Sequence, residues 1–561
     1  MSVPDRPTGP VPAEAVPAQA VPAQAVPAET VTGGTASPSA WAPLRDAVFR
    51  NLWLAVLASN IGTWMQTVGA QWLLVDAPNA ATLVALVQTA GTLPVLLLAL
   101  PSGTLADTFD RRRLLLAVQL CLVLVGAALT ALTALDRMPP ALLLTFTFAL
   151  GVGQALTLPA WQAVIPELVP RAQIPSASAL GSISVNLARS VGPAVAGVLI
   201  AQTGVAAVFG LNALSFLVFA LALLRWRRPA ENGTANPERF GPALRAGGRY
   251  VRHSPVVRRI LLRAVLFVVP GSAVWGLLPL VASRRLGLGS SGYGVLLGAL
   301  GVGAIIGAGL LSRVRARLSP NRMLVIAGIT YALAMVVVAV VTNAVVVTLA
   351  LVPAGLAWMT VISSVNAAMQ LFLPGWVRAR GLSVYQVVFA GGQAFGALVW
   401  GAVAEAANLE VAYLAAAVLM AGGAVTVRWW PLFDVAGSNR EPVSYWPEPH
   451  LTLSPEPDTG PVLVSITYRV RTENEAAFVA AMQAVRRSRQ RTGAARWGLF
   501  RDGEDPGRFV EVYLVPTWEE HLRQHDGRLT GSDEASEEAA RALADGPAEV
   551  AHLLPATAPE R

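Results

Sequence analysis

Three arginines at positions 111–113 interrupt an otherwise apolar part of the chain, and Asp107 lies four residues before the first of them. Apolar runs flank this cluster at residues 83–100 and 114–135. An arginine near the centre of a membrane-spanning helix costs roughly 2.5–3.5 kcal/mol, so the cluster predicts a short turn outside the hydrocarbon. There, Gly103 would let two helices approach closely, and the Asp107 carboxylate would accept hydrogen bonds from the arginines.

A single arginine, Arg189, lies in the middle of another run that is otherwise free of charge. A charge at that depth must pair with another group or face water. We therefore expect either a functional role or a buried hydrogen-bonding hub, with a partner on a neighbouring helix or in a cavity and Asn186 as local support. Gly192 and Gly197 predict close helix packing, and Pro193 between them predicts a bend.

The composition indicates a membrane protein. Of the 561 residues, 54% are hydrophobic and only 14% are charged, whereas about 25% are charged in a typical soluble protein. All 42 cationic residues are arginines and the net charge is +8, which in a membrane protein sets orientation and does not imply nucleic-acid binding. The one cysteine, Cys121, lies in an apolar run and is expected to be a buried, inert thiol.

Apolar runs of about 20 residues predict twelve membrane spans in two groups of six, separated by a polar segment at residues 225–259. The spans are predicted at residues 52–76, 82–106, 113–135, 140–164, 176–202, 205–225, 260–283, 291–315, 321–342, 344–371, 380–406 and 409–430.

The arginines of the short loops predict the orientation. One side carries many, such as Arg111, Arg313 and Arg378, whereas the other side carries few, such as Arg137. The arginine-rich side is therefore expected to be cytoplasmic, together with both termini and the central loop. Within that loop, residues 240–251 predict a short amphipathic helix on the membrane surface.

Changes in composition predict the domain boundaries. Val-Pro-Ala repeats at the N-terminus favour an extended, solvated chain without a secretory signal. A Pro-rich linker separates the spans from a soluble module. The predicted domains are a tail at 1–44, a six-helix bundle at 45–225, a cytoplasmic loop at 226–259, a second bundle at 260–430, a linker at 431–460 and a cytoplasmic domain at 461–555.

The soluble module has a β-α-β-β-α-β pattern, which is typical of a ferredoxin-like fold. Its elements are predicted at 462–470, 473–491, 495–501, 508–515, 517–526, 532–545 and 549–554. His521 and His525 have the i, i+4 spacing of a metal chelate on a helix. Since the sequence offers no evident third ligand, we expect a solvated helix face, no metal site and no cofactor.

Three motifs carry a resemblance to a known family. The pattern G-x-L-A-D-x-x-x-R-R-x-L at 103–114 resembles the signature loop of the major facilitator superfamily. The pattern G-P-x-x-x-G at 192–197 resembles the motif of members that export a substrate in exchange for protons. Residues 151–154 are similar to another exporter motif but lack its usual arginine. The C-terminal stretch 486–525 resembles the tail of the transmembrane secretion effectors, a branch that shares its membrane domain with enterobactin-exporter-like proteins.

The resemblance implies an all-α membrane fold of twelve transmembrane helices in two pseudo-symmetric bundles, plus a small C-terminal α+β ferredoxin-like domain. It also implies a multi-pass secondary transporter of the plasma (inner) membrane, not an enzyme. Such a transporter would export a siderophore, an antibiotic or a drug-like compound by proton antiport and alternating access. Its partners would be this small molecule, protons and the lipid bilayer, with no nucleic acid. No phosphate-binding loop is present in the sequence, so ATP hydrolysis is not expected.

Two alternatives remain open. The tail also resembles the dimeric fold of cofactor-free monooxygenases, so the chain could be an exporter fused to a catalytic tail. Otherwise the tail would be a regulatory or dimerising module, through which a dimer could form. The other alternative is a receptor or scaffold that has lost transport.

The resemblance also implies which residues serve transport. The gating and motif residues are Gly103, Asp107, Arg111, Arg112, Arg189, Gly192, Pro193 and Gly197. Spans 1, 4, 7 and 10 line the central cavity in this superfamily, and polar or aromatic residues inside spans are candidates for the substrate path. These candidates are Asn60, Trp64, Gln71, Gln154, Trp161, Asn366, Gln370, Gln386 and Gln393. Each of these side chains could instead form a hydrogen bond between two helices and have no contact with a substrate. No carboxylate lies in mid-span, which leaves Asp107 and Glu405 as the groups that could carry a proton.

The arginine asymmetry predicts the topology. A reporter domain fused after Trp430 should be cytoplasmic, and one inserted into the loop at 283–291 should be external, because loops rich in arginine stay inside. Enzymatic assays of the two fusions in intact cells measure this. The opposite pattern would show that the span count or the orientation is wrong.

Overall fold

The computed structural model describes residues 41–226, 240–432, 443, 445–446, 449 and 451–556. Within its helices it leaves out the side chains of residues 99–100, 103–104, 106–108, 171, 175, 240–246 and 379. Residues 1–40 of the predicted N-terminal tail, and residues 433–442, 444, 447–448 and 450 of the predicted linker, therefore lie outside the described residues.

Twelve long helices in these ranges coincide with the twelve predicted spans, and one further helix, α7, lies in the central loop. The helices are α1 (Ala47–Leu73), α2 (Ala80–Thr108), α3 (Arg111–Ala134), α4 (Pro140–Leu168), α5 (Ile174–Thr203), α6 (Val205–Arg225), α7 (Phe240–His253), α8 (Pro255–Leu280), α9 (Ser290–Arg317), α10 (Pro320–Val340), α11 (Ala344–Phe372), α12 (Gly375–Ala406) and α13 (Leu409–Val425).

Eleven of the described helices are long and apolar enough to cross a membrane. Helix α1 is not among the eleven; it carries Asn60, Gln66 and Gln71 among its apolar residues. Cys121 on α3 is exposed, so the expectation of a buried thiol was wrong. An apolar run cannot distinguish a helix face that packs against protein from one that faces lipid.

Short connections set the direction of each helix. Side chains cap several helix starts: Asp46 accepts from the backbone N–H of Phe49 at 2.8 Å, and Asn408 accepts from that of Val411 at 2.8 Å. Consecutive long helices therefore alternate in direction. The start of α3 and the end of α9 lie on one side of the bundle, which we call the arginine-rich side. The connections α1–α2 and α8–α9 lie on the other side, which we call the opposite side.

The second half of the membrane part packs through glycines. A methyl group added at Gly303 on α9 would lie 1.8 Å from the Val352 carbonyl oxygen on α11, and one added at Gly355 would lie 1.8 Å from that of Leu300. Because these contacts are made by backbone, neither helix can accommodate a larger residue without moving. Small residues that allow backbones to approach are the usual means of helix association in membranes.

The C-terminal domain contains a four-stranded antiparallel sheet in the order β2-β3-β1-β4. Strands β1 and β2 are parallel and have β3 between them, which is the predicted ferredoxin-like arrangement. The elements are β1 (Val462–Arg469), α14 (Glu475–Thr492), β2 (Arg496–Arg501), β3 (Arg508–Val515), α15 (Trp518–Arg523), α16 (Gly531–Arg541) and β4 (Glu549–Leu553).

A buried ionic network lies between this sheet and its helices. Arg489 is fully buried; its Nε lies 3.0 Å from Glu511 Oε1 and its Nη1 lies 2.8 Å from Glu537 Oε2. Two residues of the predicted linker join the network: the Trp446 ring lies 4.6 Å from the Arg489 guanidinium, and Tyr445 donates a hydrogen bond to Glu537. Burial alone would raise the pKa of Glu537, but Arg489 holds it at about 2. Removing one charge of such a network typically costs about 3–5 kcal/mol.

Helix α7 packs against protein. A methyl group added at Gly247 would lie 2.9 Å from Arg380 Cβ on α12. Tyr250 is buried and contacts the Trp376 ring edge-on at 5.7 Å. The helix was predicted, and its described residues contact α12 and the C-terminal domain. Its position on the membrane surface stays a prediction.

The close contact at Gly303 gives a packing prediction. Gly303→Ala should strongly reduce the yield of monodisperse protein, since overpacking a tight core typically costs about 1–3 kcal/mol. Size-exclusion chromatography of a fluorescent fusion measures the yield. Gly309→Ala on the same helix is the control, because an added methyl group there has no atom within 4 Å. Equal yields for both variants would contradict this account of the α9–α11 contact.

Candidate functional site

A cavity of about 280 Å³ lies inside the first half of the membrane part, between α1, α2, α4 and α6. Its polar lining includes Asn60 and Gln66 from α1, Gln88 from α2, Gln154 from α4 and Asn212 from α6. All of these are neutral amides that can both donate and accept hydrogen bonds. Such an arrangement suits a small organic molecule, whose sites are typically apolar with a few oriented polar groups.

Three of the predicted path residues, Asn60, Trp64 and Gln154, line this cavity. The Gln154 Nε2 donates to Thr63 Oγ1 at 2.9 Å, and the Asn60 Nδ2 donates to Ser184 Oγ at 3.1 Å. The sequence left two alternatives for these residues, a place in the cavity or a bond between helices. In the structure Asn60 and Gln154 do both.

Gln66 is a wall residue that the sequence analysis missed. Its side chain is 5% exposed, and neither of its amide atoms has a hydrogen-bond partner among the described residues. A buried polar group without a partner costs about 1–3 kcal/mol, so the amide is available to water or to a bound molecule in the cavity. Gln66 escaped notice because it lies outside the helix face that passes through Asn60, Trp64 and Gln71.

The predicted path residue Gln71 has a different environment, since it joins the two halves on the opposite side. It is 1% exposed; its Nε2 donates to the Trp275 carbonyl on α8 at 3.0 Å, and its Oε1 accepts from Tyr293 Oη on α9 at 2.6 Å. Gln71 does not line the cavity. Gln71 is one of several contacts that hold the two halves together on the opposite side, and we call this set of contacts the closure.

Other contacts reinforce that closure. Ser290 Oγ on α9 donates to the Gly197 carbonyl on α5 at 3.2 Å. Thr89 Oγ1 on α2 donates to the Ala394 carbonyl on α12 at 3.1 Å. A methyl group added at Gly401 would lie 2.5 Å from Ala85 Cβ. These contacts lie between mid-span and the opposite side, so the halves are held together there.

Arg189 lies where the two halves meet. Its guanidinium carbon is 5.6 Å from the ring centre of Trp64 on α1 and 6.0 Å from that of Trp275 on α8. Its Nε is buried and has no hydrogen-bond partner among the described residues. Asn186 gives no support, because its Nδ2 donates to the Ser182 carbonyl. The described contacts are therefore cation–π contacts, where a hydrogen bond was predicted.

The glycines next to Arg189 are points of close approach. A methyl group added at Gly192 would lie 2.8 Å from Trp64 Cβ, within the same half. One added at Gly197 would lie 2.6 Å from the Ser290 carbonyl oxygen, in the other half. Pro193 also lies where the two halves meet, because a methyl group added at Gly294 on α9 would lie 2.8 Å from the Pro193 carbonyl oxygen. The motif thus brings α5 into close contact with both α1 and α9.

The loop arginines have partners that the sequence did not indicate. Arg111 Nη1 lies 2.6 Å from Glu167 Oε1 on α4, and the Glu167 side chain is only 13% exposed. Arg112 donates from its Nε to the Leu223 carbonyl at the end of α6, at 2.9 Å, where a cation is favoured by the helix dipole. The side chains of Gly103 and Asp107 lie outside the described residues, although α2 continues through both positions.

The remaining path candidates do not line this cavity. Trp161 packs edge-on against Phe219 at 6.0 Å. Gln370 is exposed and donates to Asn366 Oδ1 on its own helix at 3.1 Å. Gln386 is exposed and Gln393 half-buried on α12. The expected contribution from the tenth and eleventh spans is therefore absent from the cavity described here.

Aromatic packing accounts for this difference between the halves. Trp358 on α11 is 2% exposed, and its ring lies 5.4 Å from Trp275, 5.5 Å from Phe267 and 6.4 Å from Phe389. These rings fill the interior of the second half at the depth where the first half holds its cavity.

The comparisons with known proteins agree with the fold. A family profile described as transmembrane secretion effector matches residues 38–559. The chain therefore belongs to the transmembrane secretion effectors, within the major facilitator superfamily. It is a multi-pass membrane protein of that superfamily.

Its relatives include exporters. The chain is 26% identical to the staphyloferrin A transporter of Staphylococcus aureus, over 45% of this chain and 64% of that protein. It is 26% identical to the multidrug efflux pump Tap of Mycolicibacterium fortuitum, over 64% and 90% of the two chains. It is 33% identical to the enterobactin exporter EntS of Shigella boydii, over 37% and 49%. The chain thus spans about half to two thirds of the first and third of these relatives.

Solved structures support the fold alone. A bacterial homologue of the human lysosomal transporter Spinster, in an inward-facing and unoccupied conformation, has a TM-score of 0.54 at 17% identity, over 69% of this chain and 95% of that one. The nucleoside transporter NupG has a TM-score of 0.52 at 14% identity, over 69% and 100%.

The position of Arg189 predicts the effect of two substitutions. Arg189→Gln loses the charge, and Arg189→Lys keeps the charge but loses the planar group that stacks on the indoles. If Arg189 serves the transport cycle, both variants should insert normally and export poorly. Measurements of membrane protein amount and of export per molecule separate the two effects.

Arg137→Gln is the control, because Arg137 is exposed. Poor folding of both Arg189 variants, with normal export by the molecules that insert, would make Arg189 a packing residue only. Normal insertion together with normal export would contradict both roles.

Proposed function

We propose that this transporter is a secondary active exporter of a small organic molecule, such as a siderophore, an antibiotic or a drug-like compound. The observation that carries the proposal is the amide-lined cavity in the first half, beside a closure that joins the halves on the opposite side. Relatives that export enterobactin or drugs support the direction of transport.

The cavity lining suggests the substrate class. Its polar groups are neutral amides, hydroxyls and the Trp64 indole, and no carboxylate is among its residues. Arg189 lies next to Trp64 and supplies a positive charge nearby. A molecule with aromatic or amide groups and a partial or full negative charge would match this set. At about 280 Å³ the cavity is near the lower end of the range of ligand sites, so a larger substrate would also need space between the halves.

The way in which the halves are joined supports a proposal of alternating access. The closure depends on a few hydrogen bonds through Gln71 and Ser290 and on glycine contacts, which can separate without unfolding either half. Each half is a packed bundle that can move as a rigid body. We propose that the closed side is external and that substrate enters from the arginine-rich, cytoplasmic side of the inner membrane, where both termini also lie.

Proton antiport needs a group on the path that gains and loses a proton. Glu167 is the best candidate among the described carboxylates of the membrane part, because it is largely buried and paired with Arg111 of the signature loop. Glu405, which the sequence suggested, is exposed. We propose that protonation of Glu167 releases Arg111 and allows the arginine-rich side to change shape.

The C-terminal domain is proposed to regulate or dimerise the transporter, without catalysis. Its core contains the Arg489 network, and Arg249 of α7 forms a 2.5 Å ion pair with Glu520 of α15. The alternative of a fused monooxygenase has no support from the relatives, which are transporters. Oxygen uptake by the full-length protein that depends on the exported molecule would favour that alternative.

The direct test is comparative metabolite profiling. A strain that lacks the gene should retain an organic metabolite inside the cell and release less of it, and the intact gene should restore release. Sensitivity of the same strain to a panel of antibiotics tests the drug-efflux version. Unchanged metabolites and unchanged sensitivities would contradict the export proposal.

The Arg111–Glu167 pair gives a specific prediction. Glu167→Gln keeps the size and one acceptor but cannot be ionised, so substrate-driven proton movement should fall at least about tenfold while substrate still binds. Proton flux in vesicles and substrate binding are the two measurements. Glu405→Gln is the matched control and should retain both. Loss of proton movement only in Glu405→Gln would assign the role to Glu405, and no change in either variant would contradict coupling through these carboxylates.

A further inference from the structure

Three histidines converge in the C-terminal domain, outside the transport path. His521 lies on α15 and His525 lies in the helical turn Gln524–Arg528 that follows it. His552 comes from strand β4. One ring nitrogen from each lies within 4.8 Å of the others. The sequence predicted a solvated helix face here, but His521 is fully buried, and the third imidazole was not evident because it is on a different element.

The distances suit a metal ion. His521 Nε2 and His525 Nε2 are 3.3 Å apart. Two nitrogen ligands at about 2.0–2.1 Å from a tetrahedral ion are separated by roughly 3.3–3.4 Å. The His521 and His552 rings have centroids 4.8 Å apart, so a small rotation of the His552 side chain would bring its nitrogen into the same coordination sphere.

A chain of hydrogen bonds sets the orientation of His521. Gln524 Nε2 donates to Thr492 Oγ1 at 3.2 Å, and the Thr492 hydroxyl donates to the Ser488 carbonyl at 2.9 Å. The amide oxygen of Gln524 therefore faces His521 Nδ1 at 3.2 Å and accepts a hydrogen bond from its N–H. This leaves the lone pair of His521 Nε2 directed toward His525. An outer hydrogen bond that fixes the tautomer is typical of histidines that bind metals.

Metal binding requires neutral imidazoles, and burial favours the neutral form of His521 and His552. Burial lowers the pKa of His521 to about 3, and it also lowers the pKa of His552. Indole rings line the cluster: Trp518 lies 5.4 Å from His521 and Trp446 lies 4.9 Å from His525. They give the site an apolar wall.

We propose that His521, His525 and His552 form a binding site for a divalent transition-metal ion of the zinc type. No carboxylate or cysteine joins the cluster in the described part of the chain, so the fourth position would hold water or a small ligand. Imidazole ligands suit zinc, copper, nickel and iron and do not favour magnesium or calcium.

The site lies beside the contact between this domain and the membrane part. Glu520, the residue before His521, forms the ion pair with Arg249 on α7. Arg528, at the end of the turn that carries His525, lies 5.0 Å from the Trp376 ring on α12. An ion held by His521 and His525 would therefore fix the segment through which the domain contacts α7 and α12.

The test is metal binding by the full-length protein, purified with a tag that contains no histidine. After treatment with a chelator, the protein is titrated with zinc in competition with a chromogenic chelator. We expect one zinc ion per chain, and the visible absorption of tetrahedral cobalt when Co²⁺ replaces zinc. His525→Gln and His552→Gln should each weaken zinc binding at least about 100-fold, and Gln524→Leu about 10- to 100-fold.

His253→Gln is the matched control, because His253 lies on α7 and outside the cluster. His525 and His552 are half-buried, so their replacement should leave the domain folded, and circular dichroism of each variant checks this. Absence of zinc binding by the unaltered protein would overturn the proposal and leave a neutral histidine cluster. Equal zinc affinity in the unaltered, His525→Gln and His552→Gln proteins would also overturn it.

Discussion

The membrane part depends on one constraint, which is that hydrocarbon offers no hydrogen-bond partner. Every polar group within the spans must be satisfied by protein or by water in a cavity. Gln71 meets the constraint by bonding to Trp275 and Tyr293. The charge of Arg189 is stabilised by two indole rings, while its Nε has no hydrogen-bond partner among the described residues. Gln66 has no described partner, and the cavity beside it is where water or substrate would lie.

The same constraint locates the parts that can move. Among the described side chains, Gln71, Thr89 and Ser290 make polar contacts between the halves from mid-span to the opposite side, and these contacts can break and form as a set. By contrast, Trp358 and the aromatic rings around it fill the interior of the second half. This packing leaves little room for a ligand and favours movement of the second half as one rigid body. The two halves are therefore similar in architecture, but only the first contains the amide-lined cavity that we propose as the substrate site.

Much of this fold could be predicted from the sequence. Span positions follow from apolar runs, and the strand pattern of the C-terminal domain follows from residue alternation and turn residues. Close approach at Gly192 and Gly197 was also predictable, since small residues at that spacing have few other uses in a membrane helix. Asn60, Trp64 and Gln154 could be placed at the cavity because a helix has a definite period.

The features that could not be predicted depend on contacts between distant elements. Glu167 lies 56 residues from Arg111, and nothing near either residue indicates the pair. His552 joins His521 only because β4 lies beside β1 at the edge of the sheet. Tyr445 and Trp446 lie in a Pro-rich stretch that indicates a linker, yet both contact the network of Arg489. Exposure of Cys121 could not be predicted, because a face toward lipid and a face toward protein have similar composition.

The central claim is that the two halves move as rigid bodies about the interface between them, where Arg189 lies. Double electron–electron resonance in lipid vesicles measures this directly, with Cys121 replaced and spin labels at two pairs of exposed positions. Asn79 and Asn408 report on the opposite side, and Arg113 and Arg317 report on the arginine-rich side. When the exported molecule or a pH step drives the cycle, the account predicts that the first distance increases while the second decreases. Constant distances during measurable transport, or two distances that change in the same direction, would contradict it.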